Sequence, residues 1–99
     1  METEATGIAS HVGGYLSQVN NDYSFAHGQG LITDKRSQTV VGEFNNKTKQ
    51  ALFVVGAGTS DTDRKNVFEV INNDNGAAIK VGNTTITETQ LIYLLALIN

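Results

Sequence analysis

Three glycines in the first half of the chain, Gly14, Gly28 and Gly42, stand 14 residues apart. Each glycine follows a small apolar residue by two positions: Val12, Ala26 and Val40. A short strand with one small inward side chain, a glycine that permits a tight corner and a polar return stretch make one turn of a β-solenoid. The alternative is a chance spacing in a glycine-rich polar chain. We favour the solenoid and predict 14-residue repeats over residues 8–50.

Composition limits what such a chain can do alone. At 99 residues it forms one small domain or less, and a monomer of this size leaves much apolar surface in water. The net charge is −3, and the 7 lysines and arginines are scattered, which argues against nucleic acid as a partner. The absence of cysteine excludes disulfides, zinc–thiolate sites and thiol catalysis.

The two ends of the chain differ in polarity. Residues 1–7 are mostly polar and acidic, so we expect a flexible N-terminus without the pattern of a secretory signal. The longest apolar run, from Leu91 to Ile98, is 8 residues. A helix needs about 20 apolar residues to span a bilayer, so no membrane insertion is expected.

Residues 51–83 follow a different pattern, and the chain as a whole is predicted to be mainly β. Apolar alternation predicts three strands separated by turns rich in glycine, asparagine and aspartate, at Ala51–Val55, Asn66–Ile71 and Ala78–Val81. Consecutive strands joined by such turns form a small antiparallel meander.

Residues 84–99 are predicted to carry a short C-terminal helix. Thr87 and Gln90 have the spacing of a capping box, which marks the start of a helix. Four residues then keep the spacing of a buried seam: Leu91, Leu94, Leu95 and Ile98. A helix this short and this apolar has to be buried. In a trimer three copies can bury one another, whereas in a monomer the helix would lie on the meander; we favour the trimer.

The repeats resemble those of a known class of fibrous protein. The stretches SHVGG at 10–14 and SFAHG at 24–28 are similar to the Ser-x-Ala-x-Gly repeats of trimeric autotransporter adhesin heads and to repeats of phage tail-fibre proteins. Residues 51–70 resemble the segment that follows such repeats in phage fibres. The resemblance implies a left-handed parallel β-roll that trimerises about a threefold axis. One departure is that Gly13 and His27 replace the glutamate that usually precedes the glycine.

No pattern of residues marks a catalytic, cofactor or metal site. Ser10 and His11 are neighbours on a predicted strand, so their side chains point to opposite faces. His11 and His27 are out of register, although a threefold axis could gather three copies of either one. Asp61 and Asp63 could bind a cation, but a solvated turn is the simpler interpretation.

We therefore expect a non-enzymatic structural module of a trimeric phage tail fibre that takes part in host attachment. The resemblance implies a virion protein made in the host cytoplasm, with other fibre or baseplate proteins as partners. A host-surface glycan could be bound by Tyr15, Tyr23 and Phe25, unless these pack between subunits. The alternatives are a bacterial trimeric adhesin head and a fibre-borne polysaccharide-degrading enzyme. The carboxylates available to such an enzyme are Glu43, Asp61, Asp63 and Glu69.

Overall fold

The computed structural model describes residues 3–74 and 76–98, and this part of the chain is mainly β with one helix at its C-terminal end. The elements in chain order are β1 Glu4–Ala5, β2 His11–Tyr15, β3 Gln18–Val19, β4 Phe25–Gln29, β5 Thr39–Glu43, β6 Ala51–Ala57, β7 Asn66–Asn73, β8 Gly76–Val81, β9 Thr84–Thr87 and α1 Glu88–Ile98.

A β-solenoid of about four turns forms the first half of the molecule. Strands β2, β4, β5 and β6 are neighbours in that order and run parallel. A narrower second side is formed by β1, β3 and a single bridge at Ile32, also in parallel. Glu4 and Ala5, within the segment predicted to be flexible, belong to this second side, while Met1 and Glu2 lie outside the described residues.

The parallel strands pair residues that are 14 positions apart. Val12 lies opposite Ala26, Ala26 opposite Val40, and Val40 opposite Val54. Ala26, Val40 and Val54 are fully buried, and Val12 packs against the same core. The prediction that Val12, Ala26 and Val40 point inward is thus confirmed, and the row continues into β6 at Val54.

Glycines hold successive turns close together. Gly14, Gly28, Gly42 and Gly56 are paired in sequence and form what we call the glycine row. A Cβ atom on Gly42 would lie 2.2 Å from the carbonyl oxygen of Gly56, and the φ of Gly42 is +98°. Both the contact and the backbone conformation therefore require glycine at this position.

The corners of the solenoid use other residues in the left-handed region. The residues with positive φ at one corner of successive turns are Leu16, Gly30 and Phe44. Those at the other corner are Ala9, Tyr23 and Ser37. Such a conformation is unfavourable for residues other than glycine. Hydrogen bonds between turns hold it in place: the Tyr23 amide donates to the Ile8 carbonyl at 2.8 Å, and the Phe44 amide donates to the Gln29 carbonyl at 2.8 Å.

Polar side chains complete the thin core. The Gln38 side chain is buried and donates to the carbonyls of Thr48 and Ala51, each at 2.8 Å, while it accepts from the Asp34 amide at 2.8 Å. Among the described residues no buried side-chain nitrogen or oxygen lacks a hydrogen-bond partner. The solenoid is therefore stabilised by side-chain hydrogen bonds as well as by its few apolar residues.

The second half contains the predicted antiparallel meander with two differences. Strand β6 pairs in parallel with β5 and antiparallel with β7, so it is both the last solenoid strand and the first meander strand. Thr84–Thr87 forms an additional strand, β9, paired with β8, ahead of the helix. Three threonines and an isoleucine favour a strand because β-branched side chains fit a pleated sheet. Within the segment 84–99, Asn99 lies outside the described residues.

The glycine row generates a test of the fold. We expect Gly42→Ala to lower the free energy of unfolding by about 3 kcal/mol, because the new Cβ would collide with the Gly56 carbonyl in a disfavoured backbone conformation. Urea unfolding at a fixed protein concentration measures the change. Gly82→Ala is the matched control, since φ there is +59° and a Cβ would meet nothing within 4 Å. A loss no larger than in this control would show that the contact between turns is unimportant.

A second test concerns the hydrogen bonds of the buried Gln38 side chain. Gln38→Ala should lower the free energy of unfolding by about 2–4 kcal/mol, because two carbonyls and one amide lose their partner inside the protein. The control is Gln29→Ala, on an exposed residue of β4, with an expected change within about 0.5 kcal/mol. Equal effects of the two substitutions in urea unfolding would contradict the assignment.

Candidate assembly surface

Helix α1 begins where the sequence predicts. The Gln90 amide donates to the Thr87 hydroxyl at 3.2 Å, and the Thr87 amide donates to the Gln90 side chain at 3.0 Å. These reciprocal bonds confirm the capping box. Glu88 accepts from the Ala77 amide at 2.9 Å and so ties the first turn of α1 to β8. Its negative charge also suits the N-terminal end of a helix.

The side chains of α1 are left largely in contact with solvent. The helix buries none of its side chains, and the four residues of the predicted seam are 44% (Leu91), 49% (Leu94), 50% (Leu95) and 72% (Ile98) exposed. Ile92, Tyr93 and Leu97 are more than 60% exposed. Within one protomer the meander therefore covers the helix only in part, and the uncovered apolar surface remains available to another molecule.

The sheet next to α1 has an apolar side that faces away from the solenoid core. One cross-strand row joins Phe53, Val70, Ile79 and Ile86, and a second joins Val55, Phe68 and Val81. We call these seven residues the outer face. The rings of Phe53 and Phe68 meet edge to face with centroids 6.5 Å apart. An antiparallel sheet with one solvated face normally has polar residues on that face. The apolar rows here therefore indicate a candidate contact surface for another molecule.

A shallow apolar pocket connects the outer face to the helix. Its volume is about 170 Å³, and Val70, Ile79, Ile86 and Leu91 contribute to its walls. The pocket is open on one side and its lining is almost wholly apolar. It offers a place for an aliphatic side chain from outside the protomer.

The three aromatic residues proposed as glycan contacts are exposed but not brought together. Phe25 stacks on His11 with ring centroids 4.7 Å apart, at the start of β4. Tyr15 lies at the opposite end of the neighbouring strand β2. Tyr23 occupies a corner, where the Arg36 guanidinium lies 4.9 Å from the centre of its ring. They form no single cluster within one protomer.

The carboxylates considered for catalysis lie on three elements: Asp61 and Asp63 share one turn, whereas Glu43 and Glu69 belong to β5 and β7. Asp61 pairs with Arg64 at 2.6 Å, and Asp63 accepts from the Thr59 hydroxyl. Glu43 is exposed at the end of β5. Glu69 is buried and accepts from the Asn66 side chain at 3.1 Å. Asp61, Asp63 and Glu69 are thus each engaged by a neighbouring side chain.

The serine and histidine considered earlier make no catalytic pair either. The Ser10 hydroxyl donates to the Gly7 carbonyl at 2.7 Å and not to His11. His27 pairs across the sheet with Gly13, two positions away from the row of His11. Among residues 3–74 and 76–98, no three histidine, aspartate or glutamate side chains converge as metal ligands.

Some structurally important residues were not singled out from the sequence. Val54 and Gly56 continue the spacing of 14 by one further step, so extending the repeat past residue 50 would have found them. Arg64 donates to the carbonyls of Gly30 at 2.8 Å and Asn45 at 3.1 Å, and so fastens the 59–65 loop to the last two corners on this side of the solenoid. No local sequence signal marks that arginine.

No protein-family model, curated protein or solved structure matches this chain. The described part of the chain also has no helix that is both long and apolar enough to cross a membrane.

The capping box can be tested separately from any assembly. Thr87→Ala should destabilise α1 by about 1 kcal/mol, because the Gln90 amide loses its acceptor. The expected result is weaker helical circular dichroism near 222 nm. Thr84→Ala, on an exposed residue of the same strand, is the control and should leave helicity unchanged. Unchanged helicity in Thr87→Ala would mean that other contacts hold the start of the helix.

Proposed function

We propose that this chain is a structural module of a homotrimeric phage tail fibre that takes part in attachment to the host surface. The observation that carries the proposal is α1: an eleven-residue apolar helix, set at the end of a β-solenoid, that buries none of its side chains in its own protomer. The sequence resemblance of the repeats supplies the biological setting.

Burial of α1 would stabilise the assembled protein. An isolated helix of this length is marginal in water, and its apolar surface costs free energy while it remains solvated. Three copies around a threefold axis can turn Leu91, Leu94, Leu95 and Ile98 toward one another. Closed cyclic symmetry then limits the assembly to three chains and leaves no exposed apolar surface at the axis. The outer face would pack against neighbouring subunits in the same assembly.

The elongated shape of the molecule supports a role as a spacer. The described residues extend over 50 × 28 × 19 Å, and the turns stack by main-chain pairing. We take 14 residues as the unit of a left-handed roll, a choice supported by the pairing of residues 14 apart and by the resemblance. Such a unit lets length be adjusted by whole turns.

The remaining parts of the proposal follow from the fibre setting. The module would reside in the virion after synthesis in the host cytoplasm, joined to other fibre or baseplate proteins. The exposed Tyr15, Tyr23 and Phe25 could contact a surface glycan or a neighbouring subunit. The bacterial adhesin head remains the nearest alternative because its repeats have the same form. A polysaccharide-degrading enzyme has less support, since Asp61, Asp63 and Glu69 are each engaged by a neighbouring side chain.

The test is the solution mass by light scattering, for the intact chain and for a chain ending at Ile86. The intact chain should have three times the protomer mass, and the shortened chain should be a monomer. Leu94→Gln should weaken the trimer, with a loss of about 2 kcal/mol per protomer from the buried leucine. Leu97→Gln is the matched control because Leu97 lies on the same helix but outside the predicted seam.

A monomeric intact chain would contradict the proposal. Equal effects of Leu94→Gln and Leu97→Gln would instead contradict the predicted seam. A trimer that survives removal of residues 87–99 would show that the outer face, and not α1, holds the subunits together.

A further inference from the structure

A polar groove lies where the sheet extends past the solenoid. One cross-strand row on the side opposite the outer face runs from Val54 through Glu69 and Lys80 to Thr85. Val54 is fully buried, Glu69 is 6% exposed, Lys80 is half-buried and Thr85 is exposed. The row therefore passes from the protein core to an open surface, because the second side of the solenoid does not continue beneath β8 and β9.

The second wall of this groove is the loop between β5 and β6, which contributes Asn46, Lys47, Thr48 and Gln50. The loop is fixed by Asn66, whose side chain accepts from the Asn46 amide at 2.7 Å and donates to the Asn46 carbonyl at 2.9 Å. The same Asn66 amide group donates to Glu69. One residue thus holds both walls in a defined geometry, so the groove is formed before any ligand arrives.

The groove concentrates positive charge in an acidic protein. Lys47, Lys65 and Lys80 line it, against the single carboxylate of Glu69. The chain has only 7 lysines and arginines and a net charge of −3, so three of its cations meet in one place. Among the described residues these lysines make no ion pair with a carboxylate, since the ion pair found there joins Arg64 to Asp61.

We propose that this basic groove binds an acidic saccharide, that is, a polyhydroxylated ligand carrying carboxylate, sulfate or phosphate groups. The lysines match the acidic groups, and the side chains of Asn46, Gln50, Asn83 and Thr85 supply donors and acceptors for hydroxyls. The volume of about 360 Å³ is in the range of ligand sites. Ile71 is the one large apolar residue in the lining, which disfavours a lipid or other apolar ligand.

The groove and the outer face do not compete for space. Glu69, Lys80 and Thr85 alternate along their strands with Val70, Ile79 and Ile86, so the two sets occupy opposite faces of one sheet. The proposal deepens the attachment role and rests on it for its biological setting. The groove itself, however, is built within one protomer and can be tested whatever the oligomeric state.

The experiment is a titration of the isotope-labelled full chain followed by amide chemical shifts, at low ionic strength. The probes are a tetrameric uronate oligosaccharide, a sulfated tetrasaccharide, inorganic phosphate, neutral maltotetraose and a short oligodeoxythymidine. We expect at least one acidic tetrasaccharide to shift amides of the 46–50 loop and of β8, with maltotetraose and phosphate much weaker. Added salt should weaken this binding.

Substitutions locate the binding. Lys80→Gln and Lys65→Gln should each weaken affinity about tenfold, the loss expected for one charge-assisted hydrogen bond. Lys49→Gln is the matched control, because Lys49 belongs to the same loop as Lys47 but does not line the groove. Its affinity should equal that of the wild type. The spectra report at the same time whether each variant is folded.

Several outcomes would overturn the groove assignment. These are no shifts with either acidic tetrasaccharide at about 1 mM, equal weakening by Lys49→Gln and Lys80→Gln, or binding of phosphate or maltotetraose as tight as that of the acidic saccharides. Tighter binding of the oligodeoxythymidine than of the acidic saccharides would show that the groove prefers nucleic acid, and would overturn the assignment to a saccharide. Light scattering on the same samples separates the two proposals. A monomer that binds the saccharide would support the groove and contradict the trimer. A trimer that does not bind would support the fibre module and contradict the groove.

Discussion

Close stacking of one turn on the next is the constraint on which the whole structure depends. At the glycine row the backbones approach so closely that a Cβ on Gly14 would lie 1.9 Å from the carbonyl oxygen of Gly28. Main-chain pairing at this distance fixes the register of every turn. Once the register is fixed, equivalent residues of successive turns lie above one another. A core of mostly small residues and hydrogen-bonded polar side chains is then sufficient to hold the turns together.

Strand β6 converts this repetitive structure into one with two usable surfaces. It pairs in parallel with the last solenoid turn and antiparallel with β7, so the sheet continues after the solenoid has ended. Beyond β6 one side of the sheet is no longer covered, and the basic groove lies there. The other side presents the outer face and carries α1. Both candidate surfaces thus have one structural cause.

The distribution of apolar residues favours assembly as the source of additional stability. The core of one protomer consists mostly of small side chains such as Ala26 and Val40, and Leu31 is its largest fully buried residue. Phe53, Phe68 and most leucines, including those of α1, lie outside this core. A small domain that keeps its larger apolar residues at the surface gains most by burying them against copies of itself. The polar groove lies on the opposite side of the sheet, so burial of these apolar residues would leave it open.

The sequence by itself determined the features that depend on local spacing. The inward positions of Val12, Ala26 and Val40 follow from a simple repeat, and the capping box of Thr87 and Gln90 involves groups only three residues apart. The meander can be predicted because residues that favour turns separate its apolar strands. Local chemistry is sufficient in each of these cases.

Only the tertiary structure decided which distant residues share a surface. The double role of β6 depends on partners on both of its sides, and Lys47, Lys65 and Lys80 meet because three separate segments surround the end of the solenoid. The left-handed corners at Tyr23 and Phe44 carry no glycine and are held by hydrogen bonds to the adjacent turn. Such features arise from pairing between residues far apart in the chain, and no local pattern specifies that pairing.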